Sequence, residues 1–258
     1  MPVFSSDGVE IAYLDAPATG DGTGKLPVLL IHGFASNLGT NWVSTSWVRT
    51  LTEAGHRVVA FDNRGHGNSA KLYDLADYGA PLMAEDGRRL LDHLAIPRAH
   101  LLGYSMGARI SAFLLLAHPD RIASATFGGL GVNMVHGMAS RGDTIAQALE
   151  APSIDDVTDP GGRVFRVFAE QTKSDLRALA ACMRSARAPI TAAAIAQVKR
   201  PVMVAVGTDD PIAGSASELA ALIPGAIHFD IVGREHMKAV GDPTFKAAVI
   251  KFLAQHQN

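Results

Sequence analysis

The chain has one cysteine, Cys182, in 258 residues. A lone thiol makes neither an intramolecular disulfide nor a thiolate metal cluster, which excludes a covalently stapled fold and suits a reducing compartment. Runs of positive charge are also missing. Lys and Arg number 23 against 25 Asp and Glu, for a net charge of −2, and no cationic stripe is long enough to track phosphates, so no nucleic-acid partner is expected. The richest apolar run, SAFLLLA from Ser111, is too short for a bilayer, so no membrane partner is expected either. The opening MPVFSSDGVE has neither a basic nor a long apolar segment, the pattern expected of a cytoplasmic protein. There is no internal repeat. GDGTGK at 20–25 misses the spacing of both the Walker and the GxGxxG phosphate loops, and the Gly-rich tract around it reads as a turn between strands. The composition, 48% hydrophobic and 19% charged, is that of a globular chain able to bury a large core.

Short β-rich apolar runs alternate with longer helical patterns. PVLLI (27–31), HRVVAF (56–61), HLLGY (100–104), ASATF (123–127), PVMVAV (201–206) and IHFDIV (227–232) read as strands buried on both faces. Between them stand WVSTSWVRTLTEAG, PLMAEDGRRLLDHLA, MGARISAFLLLAHP and SASELAALIPG, with DPTFKAAVIKFLAQ at the end. This alternation predicts an α/β fold with a mostly parallel central sheet flanked by helices. It is interrupted once. Residues 131–200 contain no convincing strand and read as an inserted helical cap, so 1–130 and 201–258 are expected to form the core.

The stretch LLGYSMGAR (101–109) places Ser105 between Gly103 and Gly107, with a strand running in and a helix running out. A serine at so sharp a turn needs a strained backbone, and glycine on either side removes the collision with adjoining strand and helix. Such a serine would sit at the carboxyl end of a strand and the start of a helix, where open α/β sheets bind ligands. As a nucleophile it needs a base, and the base needs an orienting acid. In sheets of this kind the acid and then the histidine follow the serine in the chain. PVMVAVGTDDP ends one strand with Asp209 and Asp210; IHFDIVGREH ends the next with His236. His118 and His256 lie near helix ends, and His228 reads as a packed histidine within a strand. An oxyanion hole would combine the backbone N–H of Met106, directly after the serine, with that of Phe34, where VLLIHGF breaks off its strand. Trp42, Trp47, Met134 and Met138 are candidates for an apolar substrate pocket.

HGF (32–34), DNRGHGNS (62–69), GYSMGA (103–108) and the pair GTDDP with GREH, in that order, resemble the motifs of the α/β-hydrolase superfamily of serine hydrolases. The resemblance runs along nearly the whole chain. It implies a catalytic triad of Ser105, His236 and Asp210, the last because the family's acid usually stands third after the glycine, here Gly207. It implies structural roles for Asp62, Arg64 and His66, a helical cap over 131–200, no metal or organic cofactor, and a small-molecule substrate. The implied chemistry is ester hydrolysis through an acyl-enzyme. Similar scaffolds also serve carbon–carbon bond hydrolases, lyases, cofactor-free perhydrolases and slow-turnover small-molecule receptors. Arg109 after the elbow is similar to members acting on dicarboxylate-like metabolites. Dehalogenases and epoxide hydrolases of this build use a carboxylate where this chain has Ser105. Ala108 departs from the pattern, since a third glycine is frequent there, and the segment 131–200 matches no subfamily.

Overall fold

The computed structural model describes residues 1–19, 24–137, 141–185 and 188–257. In them one sheet contains β1 (Val3–Ser6), β2 (Val9–Ala16), β3 (Val28–Ile31), β4 (Val58–Phe61), β5 (Ala99–Tyr104), β6 (Ile122–Gly128), β7 (Val202–Gly207) and β8 (Ile227–Ile231), in the order β1-β2-β4-β3-β5-β6-β7-β8. β1 and β2 are antiparallel, as are β2 and β4; every other neighbouring pair is parallel. The helices are α1 (Trp47–Glu53), α2 (Ala80–His93), α3 (Met106–Ala117), α4 (Asn133–His136), α5 (Arg141–Glu150), α6 (Pro160–Gln171), α7 (Leu176–Arg184), α8 (Ala192–Ile195), α9 (Ala216–Ala221), α10 (His236–Ala239) and α11 (Pro243–Ala254).

Two-residue periodicity splits each central strand between two cores, one on each face of the sheet. Leu29, Ile31, Val59, Phe61 and Leu101 enter the core that also holds α2 and α3 residues such as Leu90 and Ile110. Val28, Leu30, Val58, Ala60 and Leu102 enter the other, with Trp47 and the α11 residues Phe245, Val249 and Phe252. Helix α11 begins where Asp242 accepts the Thr244 and Phe245 N–H groups and Pro243 takes the first turn, a favourable N-cap.

The segment DNRGHGNS braces the sheet. Asp62 accepts the Leu38 and Asn68 N–H groups, both at 2.7 Å. Arg64 grips Asp86 of α2 through two bonds of 2.8 and 2.7 Å, with both side chains buried. The remaining Asp86 valence is filled by Ser6 Oγ at 2.5 Å, so a costly buried pair is fully satisfied.

Several expectations change. Asp7 and Gly8, both at positive φ, turn β1 into β2 with Ser6 opposite Val9; this hairpin stands outside the alternation of apolar runs. β8 is an edge strand with largely exposed side chains, and His228 is exposed instead of packed. The helix anticipated from Trp42 breaks at Ser46, which has φ 65°, so a π-helical turn (Gly39–Val43) precedes α1. Part of the Gly-rich 18–25 connector lies outside the described residues. Between β6 and β7 the chain forms α4 to α8 with no strand among the described residues. These helices touch the carboxyl end of the sheet: Thr172 Oγ1 donates to Ala35 O at 2.8 Å, and the Phe165 and Phe34 rings meet at 6.0 Å.

Candidate active site

Ser105 joins β5 to α3 at φ 55° and ψ −115°, a conformation that costs an L-residue energy and that a packed surrounding must enforce. The two glycines supply the packing. A methyl group on Gly107 would strike the Ile31 and His32 carbonyls, and one on Gly103 would strike Gly107 O and Ser111 Oγ. The first turn of α3 therefore presses directly on the end of β3. Across this junction Gly33 lies against the elbow, its missing Cβ only 3.4 Å from Ser105 Cβ. The Phe34 and Met106 N–H groups have no acceptor among the described residues.

The loops after β7 and β8 are laced together, and this separates the two aspartates. Thr208 N–H donates to Ile231 O at 3.1 Å, Asp209 N–H to Arg234 O at 3.2 Å and Gly233 N–H to Thr208 Oγ1 at 2.8 Å. A side chain on Gly207 would collide with Arg234 O. Asp209 is left exposed, its carboxylate met by Thr208 Oγ1 at 3.1 Å. The Asp210 carboxylate is fully buried. Its Oδ1 accepts the Ile212 and Ala213 N–H groups at 2.8 and 3.0 Å, and its Oδ2 lies 2.7 Å from His236 Nδ1.

His236 Nε2 stands 3.0 Å from Ser105 Oγ. Because Asp210 is acceptor-only when ionised, Nδ1 carries the proton and Nε2 is left to accept from the serine. The histidine's own backbone is fixed by Tyr104, whose hydroxyl donates to His236 O at 2.6 Å; burial pushes that phenol well above its ordinary range. Nothing in the spacing marks Tyr104 for this role, although it stands directly before the serine.

His32, beside the elbow, is wholly buried; its Nδ1 donates to Gly33 O at 2.7 Å and its Nε2 accepts Asn63 N–H at 2.9 Å. Burial lowers its pKa to about 4, and lowers those of His66 and His100 to about 3. All three are neutral in the folded chain at neutral pH. Below about pH 6.5 the unfolded chain takes up protons that the fold refuses, so acid removes stability, by about 1.4 kcal/mol per pH unit for each such histidine. Urea melts at pH 7.5, 6 and 5 should show the midpoint falling across this window, and His66→Gln should flatten the decline if the protein still folds.

Two adjoining cavities meet at the site, sharing Phe165, His236 and Met237. The larger, of about 450 Å³, opens between α5, α6 and the loops after β7 and β8. The smaller, of about 200 Å³, is bounded by Gly33, Phe34, Tyr104 and Ser105. The sequence-derived pocket residues are elsewhere. Trp42 and Trp47 stack edge to face inside the core, and Met134 is fully buried in the other core, so none of the three lines these cavities. Met138 lies outside the described residues. Arg109 does not line them either: it donates to Met134 O at 2.8 Å and Ala188 O at 2.5 Å, tying α3 to the inserted segment. The lining instead comes from Phe165 and Phe168 of α6, which no spacing signal marked out.

Residues 27–139 match the model of the alpha/beta hydrolase fold. A crystal structure of a hydrolase from Pseudomonas aeruginosa PA01 superposes with a TM-score of 0.80 at 27% identity, over 98% of this chain and 97% of that one. The chain has the α/β-hydrolase fold. The chain is also 34% identical over 134 residues to rhodomycin D methylesterase DauP of Streptomyces sp. (strain C5), covering 49% of the chain and 44% of the relative. It is 39% identical over 113 residues to the dihydrolipoyllysine-residue acetyltransferase component of the acetoin cleaving system of Pseudomonas putida, covering 43% of the chain and 29% of that protein. The matches thus span less than half the length of these curated relatives. No helix among the described residues is long and apolar enough to cross a membrane.

Proposed function

We propose that this α/β-hydrolase cleaves small carboxylic esters through an acyl-enzyme. The observation that carries the reading is the unbroken relay from Asp210 through His236 to Ser105, with contacts of 2.7 and 3.0 Å. As Ser105 Oγ bonds to the substrate carbonyl carbon, its proton passes to His236 Nε2, and the imidazolium is stabilised by the buried Asp210 carboxylate. The carbonyl oxygen, now negative, takes hydrogen bonds from the Phe34 and Met106 N–H groups, each worth about 3 kcal/mol in the barrier. Collapse breaks the carbon–oxygen bond to the alcohol, which leaves with the Nε2 proton. Water then attacks the acyl-enzyme by the same steps and releases the acid. The methylesterase among its relatives supports an ester over other acyl bonds.

Residues 131–200 act in this reading as a helical cap, and α6 would close the pocket through Phe165 and Phe168. The alcohol portion must face His236, which lines both cavities; the acyl group bonded to Ser105 fills the smaller cavity, which Ser105 lines, and the alcohol is left the larger. Asp159, Asp209 and Glu235 line that cavity, and no lysine or arginine among the described residues does. An anionic alcohol group would be repelled there. We expect 4-carboxyphenyl butyrate to be cleaved with a kcat/KM about tenfold below that of 4-(methoxycarbonyl)phenyl butyrate at low salt, with the gap narrowing in 0.5 M NaCl (roughly a 4 Å screening length). Equal rates would refute the assignment of the alcohol side.

The reading itself is tested with a p-nitrophenyl ester series from acetate to decanoate, run on the wild type and Ser105→Ala. Turnover that vanishes in the variant supports it. Turnover that persists in the variant, or negligible turnover of every ester by the wild type, counts against it.

A further inference from the structure

The smaller cavity contains two buried polar groups for which the relay has no use. Ser36 is 3% exposed and Asn41 is 5% exposed. Both line the cavity that holds Ser105. Neither Ser36 Oγ nor Asn41 Nδ2 has a hydrogen-bond partner among the described residues. Burying such groups unpaired is costly, so a chain that keeps two of them beside its reactive serine calls for an occupant that pairs them.

The orientation of the asparagine is decided by its other end. Asn41 Oδ1 accepts the Gly33 N–H at 3.2 Å, and that bond requires an oxygen, which leaves the NH2 end as a donor without a partner. Asn41 belongs to the π-helical turn Gly39–Val43, closed by Ser44 N–H on Gly39 O at 2.8 Å. Such wide turns are strained insertions that recur at functional sites. Ser36 is carried on the same loop, its N–H on Gly33 O at 3.3 Å. Asn41 Oδ1 and Ser105 Cβ lie 3.8 and 3.4 Å from the same point, the vacant Cβ position of Gly33. Asn41 Oδ1 is therefore within about 7 Å of Ser105 Cβ.

We propose that Ser36 and Asn41 form a hydrogen-bonding subsite for an oxygen acceptor on the acyl group, selecting 2- or 3-oxygenated acyl esters (hydroxy or oxo) over their plain alkyl counterparts. The inference rests on the ester reading for the side of the substrate: with the alcohol in the larger cavity, the acyl chain bonded to Ser105 fills the smaller one. The chemistry of the donors sets the class. An amide NH2 and a hydroxyl present up to three hydrogens to one small space, which suits a carbonyl or hydroxyl oxygen and penalises a methylene that leaves both groups unpaired.

Two arms test it. In the first, p-nitrophenyl 3-hydroxybutyrate and p-nitrophenyl butyrate are compared by kcat/KM in the wild type, Ser36→Ala and Asn41→Asp. The aspartate keeps an acceptor for Gly33 N–H while removing the amide donor. The wild type should prefer the hydroxy ester by about tenfold or more, and each variant should lose most of that preference; the ratio cancels any general effect on the oxyanion loop. In the second, the same two acyl groups as methyl esters are titrated onto Ser105→Ala by NMR, which needs no turnover. Tighter binding of the hydroxy ester that Ser36→Ala abolishes supports the subsite even if no ester is hydrolysed, a result that would overturn the ester reading alone. Hydrolysis or binding without preference for the oxygenated acyl group in the wild type would overturn the subsite and leave the ester reading standing.

Discussion

Replacing Ser105 by alanine is expected to lower kcat for the best p-nitrophenyl ester by about 100,000-fold, with stability little changed. The first half follows from the relay: without Oγ there is no atom to bond to the carbonyl carbon, and His236 has no proton to take. The residual rate would come from the Phe34 and Met106 N–H groups polarising the carbonyl toward water. The second half follows from the backbone. Alanine replaces a side chain that caps no N–H of α3 and retains the strained φ of 55°, so the elbow keeps both its cost and its packing. His236→Ala should give a loss of similar size, and the double variant little more, because the two residues act as one unit. A stopped assay with each purified variant, alongside thermal melts, checks both statements. Additive losses would mean that the serine and histidine do not work together.

The adjacent aspartates should behave in opposite ways. Asp210→Asn is expected to cost about a thousandfold to ten-thousandfold in kcat, while Asp209→Asn stays within about twofold. In the native chain Oδ1 of Asp210 is held by the Ile212 and Ala213 N–H groups. An asparagine would keep its single oxygen there and turn its NH2 toward His236 Nδ1. That nitrogen would then have to accept, moving the ring proton to Nε2 and leaving the base unable to receive the serine proton. Nothing of the kind applies to the exposed Asp209, whose side chain meets Thr208 and solvent. Parallel kcat measurements on the two variants are decisive; a collapse with Asp209→Asn and indifference to Asp210→Asn would reverse the roles.

The parts of this architecture visible in the sequence are those in which local chemistry leaves one solution. VLLI, VVAF and VMVAV are too apolar to be anything but covered strands, and they became β3, β4 and β7. Gly103, Ser105 and Gly107 announce an elbow because a side chain at either glycine would strike backbone. The placing of Ser105, Asp210 and His236 after β5, β7 and β8 follows from strand counting, which is how distant positions could be brought to one edge of a sheet. The remaining features depend on tertiary partners or on mixed local signals. Asp-Gly at 7 and 8 is a strong two-residue hairpin sign, yet β2 carries mixed polar and apolar residues that do not announce a covered strand. Trp42 looked like a pocket residue, but only the π-helical turn decides that its ring goes inward to meet Trp47. Arg109 follows the elbow, and nothing local foretells that carbonyls 25 and 79 residues away would take its guanidinium. Phe165 and Phe168 reach the site through the packing of α6, a long-range matter that helical spacing alone does not address.

At the centre of the account is a serine made nucleophilic by its histidine neighbour. The most direct measurement is labelling of the native protein with a fluorophosphonate, followed by peptide mass spectrometry to locate the adduct. The account predicts one adduct, on Ser105, forming rapidly in the wild type and slowing by several orders of magnitude in His236→Ala. An adduct on another residue, or equal labelling rates with and without His236, would contradict it.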